Sequence, residues 1–338
     1  MQLFENHSLL PYNSFGIAAK ARYFSPVRSM NELDTLIAEN KKSFQLPLLI
    51  LGGGSNLLFT KDFNGWVVKN ELKGIELVRE DEDHYYVKAM AGENWHELVI
   101  YCVKRNYAGI ENLSLIPGNV GASPMQNIGA YGVEIKDVFF ELEAYHIAEQ
   151  QVVTFQAGDC EFGYRESVFK RALKNQYIIL SVTYRLRKVP EFHTSYGAIE
   201  KELEAMRVDT LSIQAISDAV IRIRNSKLPN PTKIGNAGSF FKNPVIAEEQ
   251  YRQLQTKFNN IPGYPNAATV KVPAAWLIEQ CGWKGYRSGD AGCYSLQPLV
   301  LVNYGTATGA EIFDLSTRII LSVQEKFNIL LEREVNII

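Results

Sequence analysis

Leu48-Leu49-Ile50-Leu51-Gly52-Gly53-Gly54-Ser55-Asn56 joins a short apolar run to three consecutive glycines. The run predicts a buried strand, and the glycines predict a tight loop whose backbone N–H groups can approach phosphate oxygens because no Cβ intervenes. Leu57 stands where a Rossmann fingerprint has its third glycine, and the lysine of a Walker A loop is missing. The loop is therefore either a nucleotide cradle of another kind or an ordinary tight turn.

A second glycine-rich connection, Ile116-Pro-Gly-Asn-Val-Gly-Ala-Ser-Pro-Met-Gln-Asn-Ile-Gly-Ala-Tyr-Gly132, has room for a brief helix after Ser123 and Pro124. Two such loops in one α+β region would surround an extended anion, the first with backbone donors and the second with Ser123, Gln126 and Asn127. A pair of ordinary surface loops is the alternative. It is disfavoured by the apolar residues of the second loop, Ile116, Val120, Met125, Ile128 and Tyr131.

Hydrophobic periodicity predicts the elements around these loops. Helices are expected after the capping-box pattern Ser29–Glu32, from Asn94 with Trp95, Leu98, Val99 and Cys102 on its apolar face, over Pro273–Gln280, and over Thr308–Phe327. Further strands are expected at Trp66–Val68, Tyr85–Ala89, Tyr177–Leu186, Leu299–Val302 and Leu331–Ile337. Residues 228–231 read as a linker, and residues 235–244 as a small-residue turn that leads into a strand.

Composition narrows the class of protein. The 338 residues carry 35 basic and 37 acidic side chains, so no charge excess favours nucleic acid or an anionic membrane, and two or three domains are expected. No apolar run approaches the length of a membrane span, and the first residues do not form a secretory signal, so we expect a cytoplasmic protein. The spacing of the four cysteines and five histidines fits neither a metal site nor a disulfide framework.

Three segments carry side chains that could do chemistry. Arg165 lies among aromatic residues and would offer an oxyanion a fixed fork of donors, although spacing alone favours a stem on apolar surface with its head in water. Ser239 is either a hydrogen-bond donor and proton source or a turn hydroxyl bonded to its own backbone. Glu332 and Glu334 share one face of the expected terminal strand.

Seven stretches together resemble the family of flavin-dependent UDP-N-acetylenolpyruvoylglucosamine reductases, in family order and over nearly the whole chain. They are Asn13–Ile17, Leu49–Asn56, Ala91–Trp95, Ile116–Gly132, Phe162–Arg165, Gly235–Pro244 and Leu331–Val335. Each one alone is unspecific, whereas the set is highly specific. Ser195-Tyr196-Gly197 resembles the tyrosine loop of the longer form of the enzyme, whose ring closes over the nucleotide sugar.

The resemblance implies an α+β fold: an FAD-binding region of the p-cresol methylhydroxylase type in two lobes, followed by an α+β substrate domain. The implied boundaries are 1–70 for lobe 1, 71–225 for lobe 2, 226–325 for the substrate domain and 326–338 for a terminal strand that returns to the active site. The cofactor would be non-covalent FAD. Its implied binding residues are Gly52, Gly53, Gly54, Ser55, Asn56, Pro117, Gly118, Gly121, Ala122, Ser123, Gln126, Asn127, Gly129 and Gly132.

The resemblance also implies a reaction: NADPH reduces FAD, and the flavin then delivers hydride to the enolpyruvyl double bond of UDP-N-acetylglucosamine enolpyruvate, giving UDP-N-acetylmuramate for peptidoglycan. By motif position, Arg165 and Glu334 polarise the substrate carboxylate and Ser239 donates the proton. Glu334 must be protonated or share a proton, because two bare carboxylates repel. Tyr164, Tyr196, Lys227, Asn243 and Gln297 match positions that hold the nucleotide sugar or NADPH.

No metal, nucleic-acid or membrane partner is implied, and we expect a monomer. Two alternatives remain open. Another flavin oxidase or dehydrogenase of the same fold would act on a different substrate, and a nucleotide-sugar binder without catalysis would need no flavin loops and would be colourless.

Overall fold

The computed structural model describes residues 1–196 and 198–338, which divide into two compact units. Unit 1 comprises Met1–His7, Ala21–Gly53 and Asn64–Ser226, and unit 2 comprises Ser8–Lys20, Gly54–Phe63 and Lys227–Ile338. The change from unit 1 to unit 2 at Lys227 adjoins the linker expected at residues 228–231. The finer domain boundaries stay predictions.

The strands are β1 (Phe4–Ser8), β2 (Lys20–Val27), β3 (Leu48–Leu51), β4 (Leu57–Leu58), β5 (Phe63–Asn70), β6 (Ile75–Glu80), β7 (His84–Met90), β8 (Gly129–Ala130), β9 (Val133–Glu134), β10 (Phe139–His146), β11 (Gln151–Gln156), β12 (Tyr177–Arg187), β13 (Gly235–Ser239), β14 (Val245–Ala247), β15 (Tyr264–Asn266), β16 (Thr269–Lys271), β17 (Arg287–Ser288), β18 (Ala291–Cys293), β19 (Val300–Asn303) and β20 (Asn336–Ile337). The α-helices are α1 (Met30–Glu39), α2 (Trp95–Val103), α3 (Ile199–Ala205), α4 (Ile213–Lys227), α5 (Glu248–Lys257), α6 (Ala274–Gln280) and α7 (Gly309–Phe327).

Unit 1 contains a four-stranded sheet in the order β1-β2-β5-β3 and a five-stranded antiparallel sheet in the order β11-β10-β12-β7-β6. In the first sheet β3 runs parallel to β5, with Leu51 opposite Lys69. The buried face of α1 and Trp66 share one apolar cluster with Leu180 of β12. The side chains expected on the apolar face of α2 are all buried, so its predicted orientation is confirmed.

Unit 2 is built on the antiparallel sheet β13-β19-β18-β17, the smaller sheet β14-β16-β15 and the helices α5 to α7. The predicted capping box of α7 is confirmed, because the Thr308 and Glu311 side chains each accept from the other residue's backbone N–H. Ser14, which lies near the amino terminus of the chain, also belongs to this unit. Its backbone and hydroxyl bond to Asn236 of β13 at 2.9 and 2.6 Å.

Three local expectations are wrong. The small-residue stretch Gly235–Ser239 is itself a strand, since its backbone pairs with β19. No helix follows Ser123, because residues 123–127 form turns after a 3₁₀ turn at Val120–Ala122. The terminal segment is not one continuous strand. Its backbone bonds antiparallel to residues 240–242 and then parallel to β4, so that only Asn336–Ile337 is a regular strand.

Within the part of the chain that the structure describes, no helix is both long and apolar enough to cross a membrane. The four cysteines are free thiols, and three of them are buried.

The start of α7 supplies a stability prediction. An ideal Cβ on Gly309 would lie 1.7 Å from the Phe59 carbonyl oxygen, so Gly309→Ala must displace backbone and should lower the free energy of unfolding by about 2 kcal/mol or more. Gly158→Ala is the matched control, because a Cβ there meets nothing within 4 Å, and it should change stability by less than about 0.5 kcal/mol. Urea unfolding measures both variants; equal losses would contradict the prediction.

Candidate active site

The first glycine loop begins where β3 ends and packs directly on the second loop. An ideal Cβ on Gly53 would lie 2.8 Å from both the Asn119 Oδ1 atom and the Gly118 Cα atom, so no side chain fits at this position. The Asn119 Nδ2 atom donates to the Gly92 carbonyl oxygen at 2.9 Å, which anchors the second loop at this point. The structure therefore brings together the two loops that the sequence singled out, through backbone contact.

Two polar side chains of the second loop point into the protein. The Ser123 hydroxyl is buried and lies 2.7 Å from the hydroxyl of Tyr184, whose pKa is raised by burial. The Asn127 side chain is fully buried. Its Nδ2 atom donates to the Glu134 carboxylate and the Gly163 carbonyl, both at 3.0 Å, and its Oδ1 atom accepts from the Lys136 N–H at 3.0 Å. Both side chains therefore shape the loop from inside.

Arg165 occupies the tip of a tight turn. Reciprocal backbone bonds of 3.0 and 3.3 Å between Gly163 and Glu166 close the turn. Arg165 has a φ of +55°, a left-handed conformation that costs about 1–2 kcal/mol in a residue with a side chain. Its guanidinium donates to the Gly129 carbonyl oxygen and lies 3.5 Å from that of Asn127. The expectation that the Arg165 guanidinium lies in water is therefore wrong, because carbonyl groups of the second glycine loop bind it.

Gly129 leaves little space beside this guanidinium. An ideal Cβ at that position would lie 2.8 Å from Glu134 Cγ and 3.0 Å from Arg165 Nη1. A predicted cofactor loop and a predicted catalytic side chain therefore form one structural element of unit 1.

In unit 2 the alcohol and the acid lie on neighbouring segments. Ser239 ends β13 opposite Val300, and the Phe240 carbonyl oxygen, one residue on, accepts from the Glu334 N–H at 2.8 Å. Ser239 is exposed at the end of the strand, and among the described residues its hydroxyl makes no hydrogen bond. The Glu334 carbonyl lies 3.5 Å from Asn56 Nδ2, which places a third predicted residue beside this pair.

The neighbours of Glu334 are fixed by other contacts. Glu332 is 68% exposed and pairs with Lys242 at 2.6 Å, which agrees with a rim charge. Arg333 reaches the other way and donates to Ser316 and Thr317 of α7 at 2.8 and 2.7 Å. This anchoring arginine was missed by sequence reasoning, since the residues it contacts are 16 and 17 positions away.

The remaining predicted residues are divided between the two units. Tyr164 and Tyr196 belong to unit 1. Tyr196 lies close to Gly132, since an ideal Cβ added to Gly132 would lie 3.4 Å from the Tyr196 Cβ atom. Lys227, Asn243 and Gln297 belong to unit 2. Asn243 Oδ1 accepts from the Ala274 N–H at 2.9 Å and so caps α6. Gly197, the last residue of the expected tyrosine loop, lies outside the described residues.

Arg165 is in unit 1, whereas Ser239 and Glu334 are in unit 2. The convergence of the three side chains on one substrate stays a prediction.

Two protein families match separate parts of the chain. Residues 22–159 match a family described as FAD binding domain, and residues 230–338 match the UDP-N-acetylenolpyruvoylglucosamine reductase C-terminal domain. The UDP-N-acetylenolpyruvoylglucosamine reductase of Amoebophilus asiaticus is 55% identical and that of Flavobacterium johnsoniae 49% identical, each over 100% of both chains. The UDP-N-acetylenolpyruvylglucosamine reductase structure from Thermus caldophilus has a TM-score of 0.68 at 22% identity, covering 99% of this chain and 98% of that one, which is a likeness of fold.

The glycine loops, the FAD-binding match and the named relatives define an FAD-dependent oxidoreductase. The predicted α+β flavoprotein fold is confirmed. The chain belongs to the UDP-N-acetylenolpyruvoylglucosamine reductase family.

The amide of Asn127 generates a prediction about the turn that carries Arg165. Asn127→Asp replaces a buried donor by a carboxylate oxygen that faces the Glu134 carboxylate and the Gly163 carbonyl, so unfolding should become easier by about 2–4 kcal/mol. Asn175→Asp is the matched control, because Asn175 is an exposed asparagine that also has a positive φ. Urea unfolding that gave the same midpoint for both variants would rule out this role for the Asn127 donors.

Proposed function

We propose that this chain reduces the enolpyruvyl double bond of UDP-N-acetylglucosamine enolpyruvate to give UDP-N-acetylmuramate, with NADPH as the hydride donor. The observation that carries the proposal is the 55% identity, over 100% of both chains, to a reductase named for this substrate. The product would serve peptidoglycan synthesis in the cytoplasm, and so cell-wall formation and cell division. We propose a monomer.

The residues of the two glycine loops fit FAD. Gly53 contacts the second loop so closely that a Cβ is excluded, and backbone of this kind can approach a diphosphate. We propose that Gly52 to Asn56 and the loop residues Pro117, Gly118, Gly121, Ala122, Ser123, Gln126, Asn127, Gly129 and Gly132 hold the cofactor. Ser123 and Asn127 would act through loop conformation, since their side chains bond inside the protein. When bound, FAD accepts hydride from NADPH and supplies it to the vinyl carbon of the sugar.

Hydride addition leaves negative charge that spreads onto the substrate carboxylate, and Arg165 is proposed to stabilise it. The guanidinium is permanently charged and planar, so it can present two parallel donors to a carboxylate. Its bonds to the second glycine loop hold the cation in place before substrate arrives, and a preorganised donor gains most in a site from which water is excluded.

Ser239 is proposed to donate the proton that completes the reduction. The product gains one hydride at the vinyl carbon and one proton at the neighbouring carbon, so an acid must deliver that proton. Ser239 is exposed at the end of β13, and its hydroxyl makes no hydrogen bond among the described residues. Glu334, bonded through its backbone to the residue after Ser239, is proposed to share a proton with the substrate carboxylate, because two bare carboxylates would repel.

Five further residues are proposed to hold the nucleotide sugar or NADPH. They are Tyr164, Tyr196, Lys227, Asn243 and Gln297. For Asn243 this role would use the amide N–H₂, since its Oδ1 atom caps α6.

Anaerobic absorbance spectroscopy tests the reaction. The purified protein should be yellow, its flavin band should bleach when NADPH is added, and the band should return when the enolpyruvyl nucleotide sugar follows. Recovery is expected because the sugar reoxidises the flavin. Bleaching without recovery would reject this substrate while keeping a flavoenzyme, and a colourless protein would indicate a binder without catalysis.

Ser239→Ala tests the proton donor. The variant should leave the NADPH half-reaction nearly unchanged and slow the sugar half-reaction by about 10²- to 10⁴-fold, because the proton is needed only there. Stopped-flow absorbance separates the two halves. Ser288→Ala, an exposed serine on β17 of the same sheet, is the control and should change neither half. Equal losses in both halves for Ser239→Ala would contradict the assignment.

A further inference from the structure

We propose that Lys69 is a cofactor-binding residue: its ammonium holds the first glycine loop in place through Gly52 and presents a positive charge to the diphosphate of FAD. The inference rests on the proposed location of FAD at the glycine loops. It does not depend on the identity of the sugar substrate.

Strand pairing brings Lys69 to the loop. Lys69 lies on β5 directly opposite Leu51, the last residue of β3, so its side chain reaches the residue at which the loop begins. The Nζ atom donates to the Gly52 carbonyl oxygen at 2.7 Å. In the described parts of the chain this is the single hydrogen bond of the ammonium, which has three N–H donors. Two donors therefore remain for a ligand.

A groove of about 460 Å³ adjoins this ammonium within unit 1. It is lined by Arg28, Lys69, Asn70, Glu71, Lys73, Gly92, Asn94, Glu97 and Asn119. Asn119 belongs to the second glycine loop and lies against Gly53, so the groove reaches the point at which the two loops meet. An anion held by both loops would have Lys69 beside it.

The other two cations of the groove are paired. Arg28 bonds to Glu71 at 2.9 Å and Lys73 to Glu93 at 3.3 Å, whereas Lys69 has no ion pair within residues 1–196 and 198–338. Burial lowers the pKa of Lys69, so the protein holds this charge at a cost in free energy that a bound anion would offset.

The contribution of Lys69 to FAD binding is measured by how well the holoenzyme retains FAD. Lys69→Met removes the charge and the donors, and the dissociation constant of FAD, followed by flavin fluorescence on dilution, should rise about 10-fold or more. Lys69→Arg keeps both features and should stay within about 3-fold of the wild type. Lys73→Met is the matched control on the same groove, and because Lys73 is already paired with Glu93 its removal should change the dissociation constant of FAD by less than about 3-fold. Unchanged affinity in Lys69→Met, or an equal loss in Lys73→Met, would overturn the proposal.

A pH titration of FAD release covers the case in which Lys69→Met does not fold. The ammonium loses its proton as pH rises through its lowered pKa, so the wild type should release FAD in that range while Lys69→Arg retains it. Arg28, Glu71, Lys73 and Glu97 face the same groove in both proteins, so their titration affects both equally. Release over the same pH range in both proteins would refute the role of the charge. Because no sugar is present, failure of the proposed reaction leaves this result unaffected.

Discussion

The structure of the cofactor region depends on an absent side chain. Gly53 lies so close to Gly118 and Asn119 that any Cβ would overlap them, and this contact joins the end of β3 to the second glycine loop. A glycine has no Cβ, so its backbone N–H group can approach an anion closely, as anion binding by main-chain atoms requires. The absence of a helix directly after the glycines separates this arrangement from a Rossmann loop, in which a helix N-terminus receives the diphosphate.

At residues 127–129 the second glycine loop holds the proposed catalytic cation, Arg165, in place. The buried Asn127 amide ties the loop to the turn at Gly163, and the carbonyl groups of Asn127 and Gly129 receive the Arg165 guanidinium. A left-handed arginine at a turn tip is strained, and strain of this kind persists only where the surroundings specify it. The cofactor loop and the cation that is proposed to polarise the substrate are therefore built as one piece.

Unit 2 places its two candidate groups by backbone pairing. The terminal segment bonds first to residues 240–242 and then to β4, and the change of partner sets Glu334 next to the end of β13. Arg333 bonds to α7 on one side and Glu332 to Lys242 on the other, so the residues flanking the position have fixed contacts. The position of Glu334 thus follows from sheet register together with these anchors.

Sequence alone determined much of this protein. Helix caps at Asn94 and Thr308 and the strand before the glycines are local patterns, and local patterns survive in the fold because neighbouring residues create them. Motif order also identified the family and its flavin. Only tertiary structure decided where Arg165 and Lys69 place their charges, why Gly235–Ser239 is a strand, and how the last residues divide between two partners. Each of these outcomes depends on groups distant in the chain, and no local pattern specifies which distant carbonyl or strand edge will be near.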